Sequence, residues 1–313
     1  MSNYFQRLKR LAVASLWTVS GLPLLMPVPA QALTASNKQT TATNLVARQQ
    51  RSGRMQVVYG KANDPFSAAL MRVYKQYGLF EQAANLMTAQ IELPRNIQIV
   101  LTDLGQPNAY YSAQQHAIVI SNELTKHNYE SLLKRGYSEE EAIKTAVLAS
   151  IFIFYHEAGH MLVHELNLPI TGREEDAADQ FSAAFLLLND SSADKALSGE
   201  IVMAAAQVFD AQRTQPDERD LQDEHSLNPQ RFYNLVCMLY GAAPERYGNL
   251  VTKLGYSESR LSRCQMESKS VLAAWQRLLE PYLKSWTLSI FVCTNDRVPT
   301  IPLINQLYSQ LNS

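Results

Sequence analysis

The sequence predicts an α+β fold, and three observations carry that prediction. Strand-like alternation of apolar and polar residues is confined to the N-terminal half, between Met55 and Ile120. Beyond it, apolar residues recur at helical spacing. A strongly apolar run there is introduced by Ser138 with Glu141 three residues later, a capping box that opens a helix. Strands and helices first, then helices alone, imply a small N-terminal sheet and a mainly helical C-terminal half.

Taken in order, Met55 to Tyr59 has strand character, and Asp64 followed by Pro65 caps and starts a helix running to about Gly78. A second helix spans Phe80 to Ile91 and is closed by Pro94, after which Ile97 to Leu101 alternates as a strand. Asn108 to Ile120 reads as two short strands around the polar turn Ser112 to Gln115. The capped helix continues from Ser138 to about Leu166, ahead of Pro169. Its apolar run, Ala146 to Tyr155, covers roughly half the length a bilayer requires, so it is a buried helix rather than a membrane span. Gly172 precedes another helix, in which Ala178, Phe181, Phe185 and Leu188 follow helical spacing. The remainder, including Pro229 to Tyr240 and Ser259 to Leu283, is mostly helical.

The termini and the charge narrow the function classes. Arg7, Lys9 and Arg10 precede an apolar stretch from Leu11 to about Met26, and Ala30-Gln31-Ala32 fits a signal-peptidase site. Residues 1–32 therefore read as a signal peptide, 33–54 as a flexible leader rich in Thr, Gln, Asn and Ser, and 55–313 as the domain. That places the mature protein in the periplasm or outside the cell. Membrane contact is expected only if the first segment stays uncleaved, and Pro23, Pro27 and Pro29 disfavour a stable span there. A formal net charge of -1 gives no basic field to attract phosphate backbones, so nucleic acid is not an expected partner.

The chemistry concentrates in His156-Glu157-Ala158-Gly159-His160. Four residues turn a helix through about 400°, which brings both imidazoles to nearly one face, a turn apart, where two nitrogens reach one ion. Glu157, about 100° away, can reach a water beside that ion without becoming a ligand, which is the position of a general base. A catalytic zinc takes three protein ligands. The metzincin pattern would supply a third histidine ten residues after His156, but that position is Leu166, and its glycine is replaced by Val163. His164 lies about 12 Å along the axis from His156, too far to share the ion. It reads as a surface histidine or one supporting a ligand.

In the next helix, Glu175 is followed by Ala178 and Asp179 at the third and fourth positions. After an H-E-x-x-H helix, this resembles the gluzincin arrangement of thermolysin-like and integral-membrane zinc peptidases. Asn108-Ala109-Tyr110-Tyr111 resembles the zincin edge strand, and Asp223-Glu224-His225 before Pro229-Gln230-Arg231 resembles the motif that follows the ligands in such enzymes. Together these stretches are similar to a group of largely uncharacterised bacterial metallopeptidases, over roughly Met55 to Tyr282. The resemblance implies a zincin-like fold and one Zn2+ held by His156, His160 and Glu175. It further implies that Asp179 orients a ligand histidine, and that a peptide or protein substrate lies along Ala109, Tyr110 and Tyr111. His225 is a candidate to stabilise an oxyanion, or else a helix-capping or surface histidine. Glu174 and Asp176 read as an acidic helix start favoured by the dipole. Two other functions fit the same residues: a metal-binding scaffold without hydrolysis, and a zinc amidase acting on cell-wall peptides.

Three cysteines, Cys237, Cys264 and Cys293, lie in the C-terminal third. Cys237 and Cys264 fall in helices that a turn near Gly255 can bring together, which predicts a disulfide between them. Three buried thiols are the alternative.

Overall fold

The computed structural model describes residues 52–189 and 195–284. The expected signal peptide, nearly all of the leader and Cys293 lie outside the described residues. Ahead of the first strand, Gly53 bridges Leu93 and the Arg54 amide donates to Asn96.

The elements run β1 (Met55–Tyr59), α1 (Pro65–Tyr77), α2 (Leu79–Gln90), β2 (Ile97–Thr102), β3 (Ala109–Ser112), β4 (Ala117–Ser121), α3 (Asn122–Lys134), α4 (Glu139–Leu166), α5 (Glu174–Leu188), α6 (Lys195–Ala211), α7 (Glu218–Gln222), α8 (Asn228–Ala242), α9 (Pro244–Lys253) and α10 (Glu258–Leu279). The fold is α+β, as expected: a four-stranded sheet in the order β1-β2-β4-β3, followed by helices. β1, β2 and β4 are parallel, and β3 closes one side antiparallel to β4. Asp64 caps α1 through the amides of Phe66 and Ser67. Gly78, at φ 56°, ends α1 and lets α2 start at once, a conformation that costs a residue with a Cβ more than it costs glycine.

Ile97, Ile99 and Leu101 of β2 and Ile118 and Ile120 of β4 face one core with Leu70, Tyr74, Phe80, Met87, Phe152 and Phe154. Each such side chain contributes roughly 1.5–3 kcal/mol on burial. The alternate positions Gln56, Val58, Gln98 and Tyr110 are exposed. α4 is the spine: it packs on β3 and β4, and also on α3, α5 and α6. It is 28 residues long and apolar enough to cross a membrane by length and composition, but 78% of its most apolar window is buried inside the protein.

One helix, α3, has no counterpart in the sequence reading, and its chemistry explains why. Its buried face is mainly polar, with Asn122, Thr125, Asn128 and Ser131 beside Leu132, so apolar periodicity is weak there. Three of these polar residues have specific partners: Asn122 donates to Asp103 at 2.7 Å, Thr125 meets the Tyr74 hydroxyl at 3.1 Å, and Asn128 accepts from Gln212 at 2.8 Å.

A disulfide joins Cys237 on α8 to Cys264 on α10, with the Cα atoms 5.0 Å apart and a sequence separation of 27. Closing a loop of that length removes roughly 3.5 kcal/mol of unfolded-state entropy in the chain-entropy model. Reduction, or Cys264→Ala, should therefore lower the unfolding free energy by about 2–4 kcal/mol in urea titrations. A change under about 1 kcal/mol would show that the bridge does not constrain the unfolded chain.

Candidate metal centre

The centre is built where α4 and α5 cross antiparallel. Going forward along α5 and backward along α4, Glu174 meets His160, Glu175 meets both His160 and His156, Asp179 meets His156, and the Ser182 hydroxyl donates to the Phe152 carbonyl. Gly159 permits this closeness. A Cβ there would stand 3.0 Å from the Ala178 Cα and 3.3 Å from its Cβ, so a larger residue at either position wedges the helices apart.

The polar atoms on this seam converge. His156 Nε2 lies 3.0 Å from Glu175 Oε2, His160 Nε2 lies 3.3 Å from Glu175 Oε1, and the two imidazole Nε2 atoms are 3.3 Å apart. Ligand atoms of one tetrahedral ion with bonds near 2.0–2.1 Å are about 3.3 Å from one another. Two imidazoles and one carboxylate at these separations fit a divalent metal in both spacing and chemistry.

Each of the three histidines near Glu175 is backed by a carboxylate on its other nitrogen. Asp179 accepts at 2.8 Å from His156 Nδ1, Glu174 stands 2.7 Å from His160 Nδ1, and Asp223 stands 2.9 Å from His225 Nδ1. A carboxylate on Nδ1 fixes the ring and raises the basicity of Nε2. His225, one of the residues the sequence singled out, points its Nε2 at Glu175 Oε2 from 2.9 Å. It takes part in the cluster rather than capping a helix.

Glu174 and Asp176 lie in the first turn of α5, the acidic helix start expected of them, and also make specific contacts. Glu174 pairs with His160, and Asp176 accepts from the Ser226 hydroxyl at 2.6 Å, so both tie α5 to specific partners. His164 is half exposed, beside the Tyr111 ring. Ala109, Tyr110 and Tyr111 form β3, the outer strand of the sheet. Tyr110 faces solvent, whereas Tyr111 turns inward and donates its hydroxyl to Glu165 at 2.6 Å.

Sequence reasoning gave Arg231 no specific task. Its guanidinium donates to both Asp179 oxygens, at 2.7 and 2.8 Å, and lies 3.9 Å over the Phe209 ring. The signal was weak because its partner is 52 residues away. The Asp223–His225 pair was more legible: the His225 amide donates to Asp223 at 2.8 Å, the local turn expected of an aspartate two residues earlier.

These contacts set the protonation of the metal-free site. Burial alone would lower His156, but its hydrogen bonds to Asp179 and Glu175 outweigh it and bring it to about 9. Burial would raise Glu175, yet hydrogen bonds from His156, His160 and His225 hold it far below the usual carboxylate range. Burial would likewise raise Asp179, but the Arg231 charge and hydrogen bond keep it ionised. Glu157, buried on the same turn of α4, is pushed upward mainly by loss of solvent, with the His156 and His160 charges opposing.

No curated protein and no solved structure matches the chain. A family model does match it, over residues 59–279, which is more than half of the sequence. By that match, the chain belongs to the family DUF4344, described as a putative metallopeptidase.

Proposed function

We propose that the protein is an exported zinc metallopeptidase of zincin-like fold that hydrolyses peptide bonds with Glu157 as general base. The observation that carries this reading is the trio of about equal separations among His156, His160 and Glu175, with the buried carboxylate of Glu157 one residue from His156. Zinc is favoured among divalent ions by two imidazoles and one carboxylate, a common catalytic donor set with room for a further ligand. When bound there, the ion polarises a carbonyl and makes a neighbouring water more acidic.

The chain's own residues do the rest. Glu157 takes the proton from the attacking water and returns it to the leaving amine. His225, held by Asp223, donates toward the oxyanion that develops. The outer strand β3 offers unpaired backbone groups to an extended peptide. Export is supported by the basic start, apolar core and Ala30-Gln31-Ala32 of the first 32 residues.

Metal analysis of the purified mature protein, combined with an untargeted peptide-cleavage screen, tests the reading. The expected result is about one zinc per chain and cleavage that stops on chelation. Protein that binds no zinc, or a zinc-loaded protein that cleaves nothing, sinks the peptidase assignment.

Zinc binding should also carry a definite pH dependence. His156 must be neutral to ligate, so zinc displaces a proton that this residue holds up to about 9. Apparent zinc affinity should rise as pH increases from 6.5 toward 9 and then level off. The sign for the metal-free protein is opposite. A folded pKa above the unfolded value contributes stability that is complete below 6.5 and is lost as pH rises through about 9. Calorimetric zinc titrations in buffers of different ionisation enthalpy check this, and a pH-independent affinity would refute it.

A further inference from the structure

We propose that Glu165 is a positioning residue, which clamps the outer strand β3 to the metal-binding helix so that the backbone amide of Tyr111 is held fixed for a substrate peptide. The inference rests on the peptidase reading, but its observations lie outside the metal cluster.

Glu165 follows His160 by five residues near the end of α4, and its side chain is only 2% exposed. An ionised carboxylate at such a place must be paired. Three donors from three segments do so: the Tyr111 hydroxyl at 2.6 Å from β3, His116 Nδ1 at 2.7 Å from the turn between β3 and β4, and Arg95 Nε at 3.0 Å from the approach to β2. Burial would raise the Glu165 carboxyl, yet these hydrogen bonds and the Arg95 charge bring it below its ordinary value. Arg95 also reaches His116 Nε2 at 3.0 Å, and His116 adopts φ 50°, a left-handed conformation unusual for a side chain with a Cβ. The turn is thus held in a specific shape by contacts to the helix, not by its own preferences.

The register shows what this clamp fixes. Asn108 accepts from the Ser121 amide at 2.9 Å, and Tyr110 and Ser112 stand opposite Val119 and Ala117. Backbone bonds in an antiparallel pair fall on alternate residues, so Asn108, Tyr110 and Ser112 face β4 while the amides and carbonyls of Ala109 and Tyr111 face the free edge. Tyr111 is therefore the residue whose backbone points outward and whose side chain Glu165 holds. Its ring is also 5.8 Å from that of His164, one turn beyond His160 on nearly the same face of α4, so the strand runs along the flank of the ligand face. Among the described residues, Glu165 is the one carboxylate on α4 that bonds to β3 and to the turn that follows it.

The test uses the full mature protein and the oxidised insulin B chain as an extended probe peptide. Cleavage is measured in the parent and in Glu165→Gln, and binding by anisotropy in the same pair carrying Glu157→Gln. The expected result is a KM and a Kd raised about 10-fold or more, kcat within about 3-fold, and zinc content unchanged, because orientation of bound peptide is lost while the ligands stay in place. Backbone hydrogen exchange should quicken at Tyr110 and Ser112 but not in α4. Tyr111→Phe and the surface variant Arg95→Gln, each removing one donor, should shift KM in the same direction and keep the test open should Glu165→Gln fold poorly. A parent that cleaves and variants with unchanged KM overturn the clamp alone. A parent that neither binds nor cleaves the peptide overturns the peptidase reading, and the clamp's role with it. Loss of zinc and kcat together, without a KM shift, would make Glu165 an ordinary stabilising residue and also reject the proposal.

Discussion

Glu157→Gln should keep its zinc and lose at least about 10²-fold of its peptide hydrolysis, and as much as about 10⁴-fold, which is the range for removing a positioned general base. The carboxylate is buried 6% exposed on the ligand-bearing turn, and the amide that replaces it has nearly the same shape, so the fold and the cluster of His156, His160 and Glu175 should be undisturbed. The comparison set is His156→Ala, His160→Ala and Glu175→Ala, each of which removes one of the three proposed ligands and should release most of the metal. Glu174→Ala should not, because Glu174 meets His160 on Nδ1, away from the other ligand atoms. Atomic absorption on each purified variant separates the two classes. Equal hydrolysis by parent and Glu157→Gln would remove Glu157 from the mechanism, and zinc release by Glu174→Ala with retention by Glu175→Ala would transfer the third ligand to Glu174.

The second large effect concerns Arg231. Arg231→Met leaves Asp179 ionised in a pocket where its side chain is 11% exposed, without the guanidinium that pairs both of its oxygens. Breaking a buried ion pair by removing one partner costs about 3–5 kcal/mol, and disturbing the group that orients a metal-ligating histidine costs about 10–100-fold in metal affinity. Arg231→Met should show both losses, in urea unfolding of the metal-free protein and in zinc competition titrations. The double variant Arg231→Met, Asp179→Asn should recover part of the stability, since no stranded charge remains, while metal affinity stays low. Additive stability losses in the double variant would show that the pair is not coupled.

Much of the metal cluster was legible because it is helical and local. H-E-x-x-H places its own histidines on one face, whereas Glu175 and Asp179 entered only through the resemblance of their stretch to known zinc peptidases. The strands were legible because each has one face in the core, as Ile97, Ile99 and Leu101 show. What failed follows from the same physics. α3 buries asparagine, threonine and serine, so a periodicity test that counts apolar residues passes over it. Glu174 does stand in the acidic first turn expected of it, but its added contact with His160 was hidden because that partner belongs to another helix. Arg231 and Glu165 act through contacts 52 and 54 residues away, and no local spacing encodes such a contact.

The crossing of α4 and α5 at Gly159 and Ala178 has a consequence for how the chain assembles. His156, Glu157, His160, Glu175 and Asp179 all lie within one helical hairpin, so bringing the metal donors together closes a loop of only about 20 residues, a small entropic cost. The Arg231 and Glu165 contacts join segments 52 and 54 residues apart, so closing those loops costs more chain entropy than closing the hairpin. The side chains of the candidate metal centre thus carry the smaller share of the entropy spent on assembling this region.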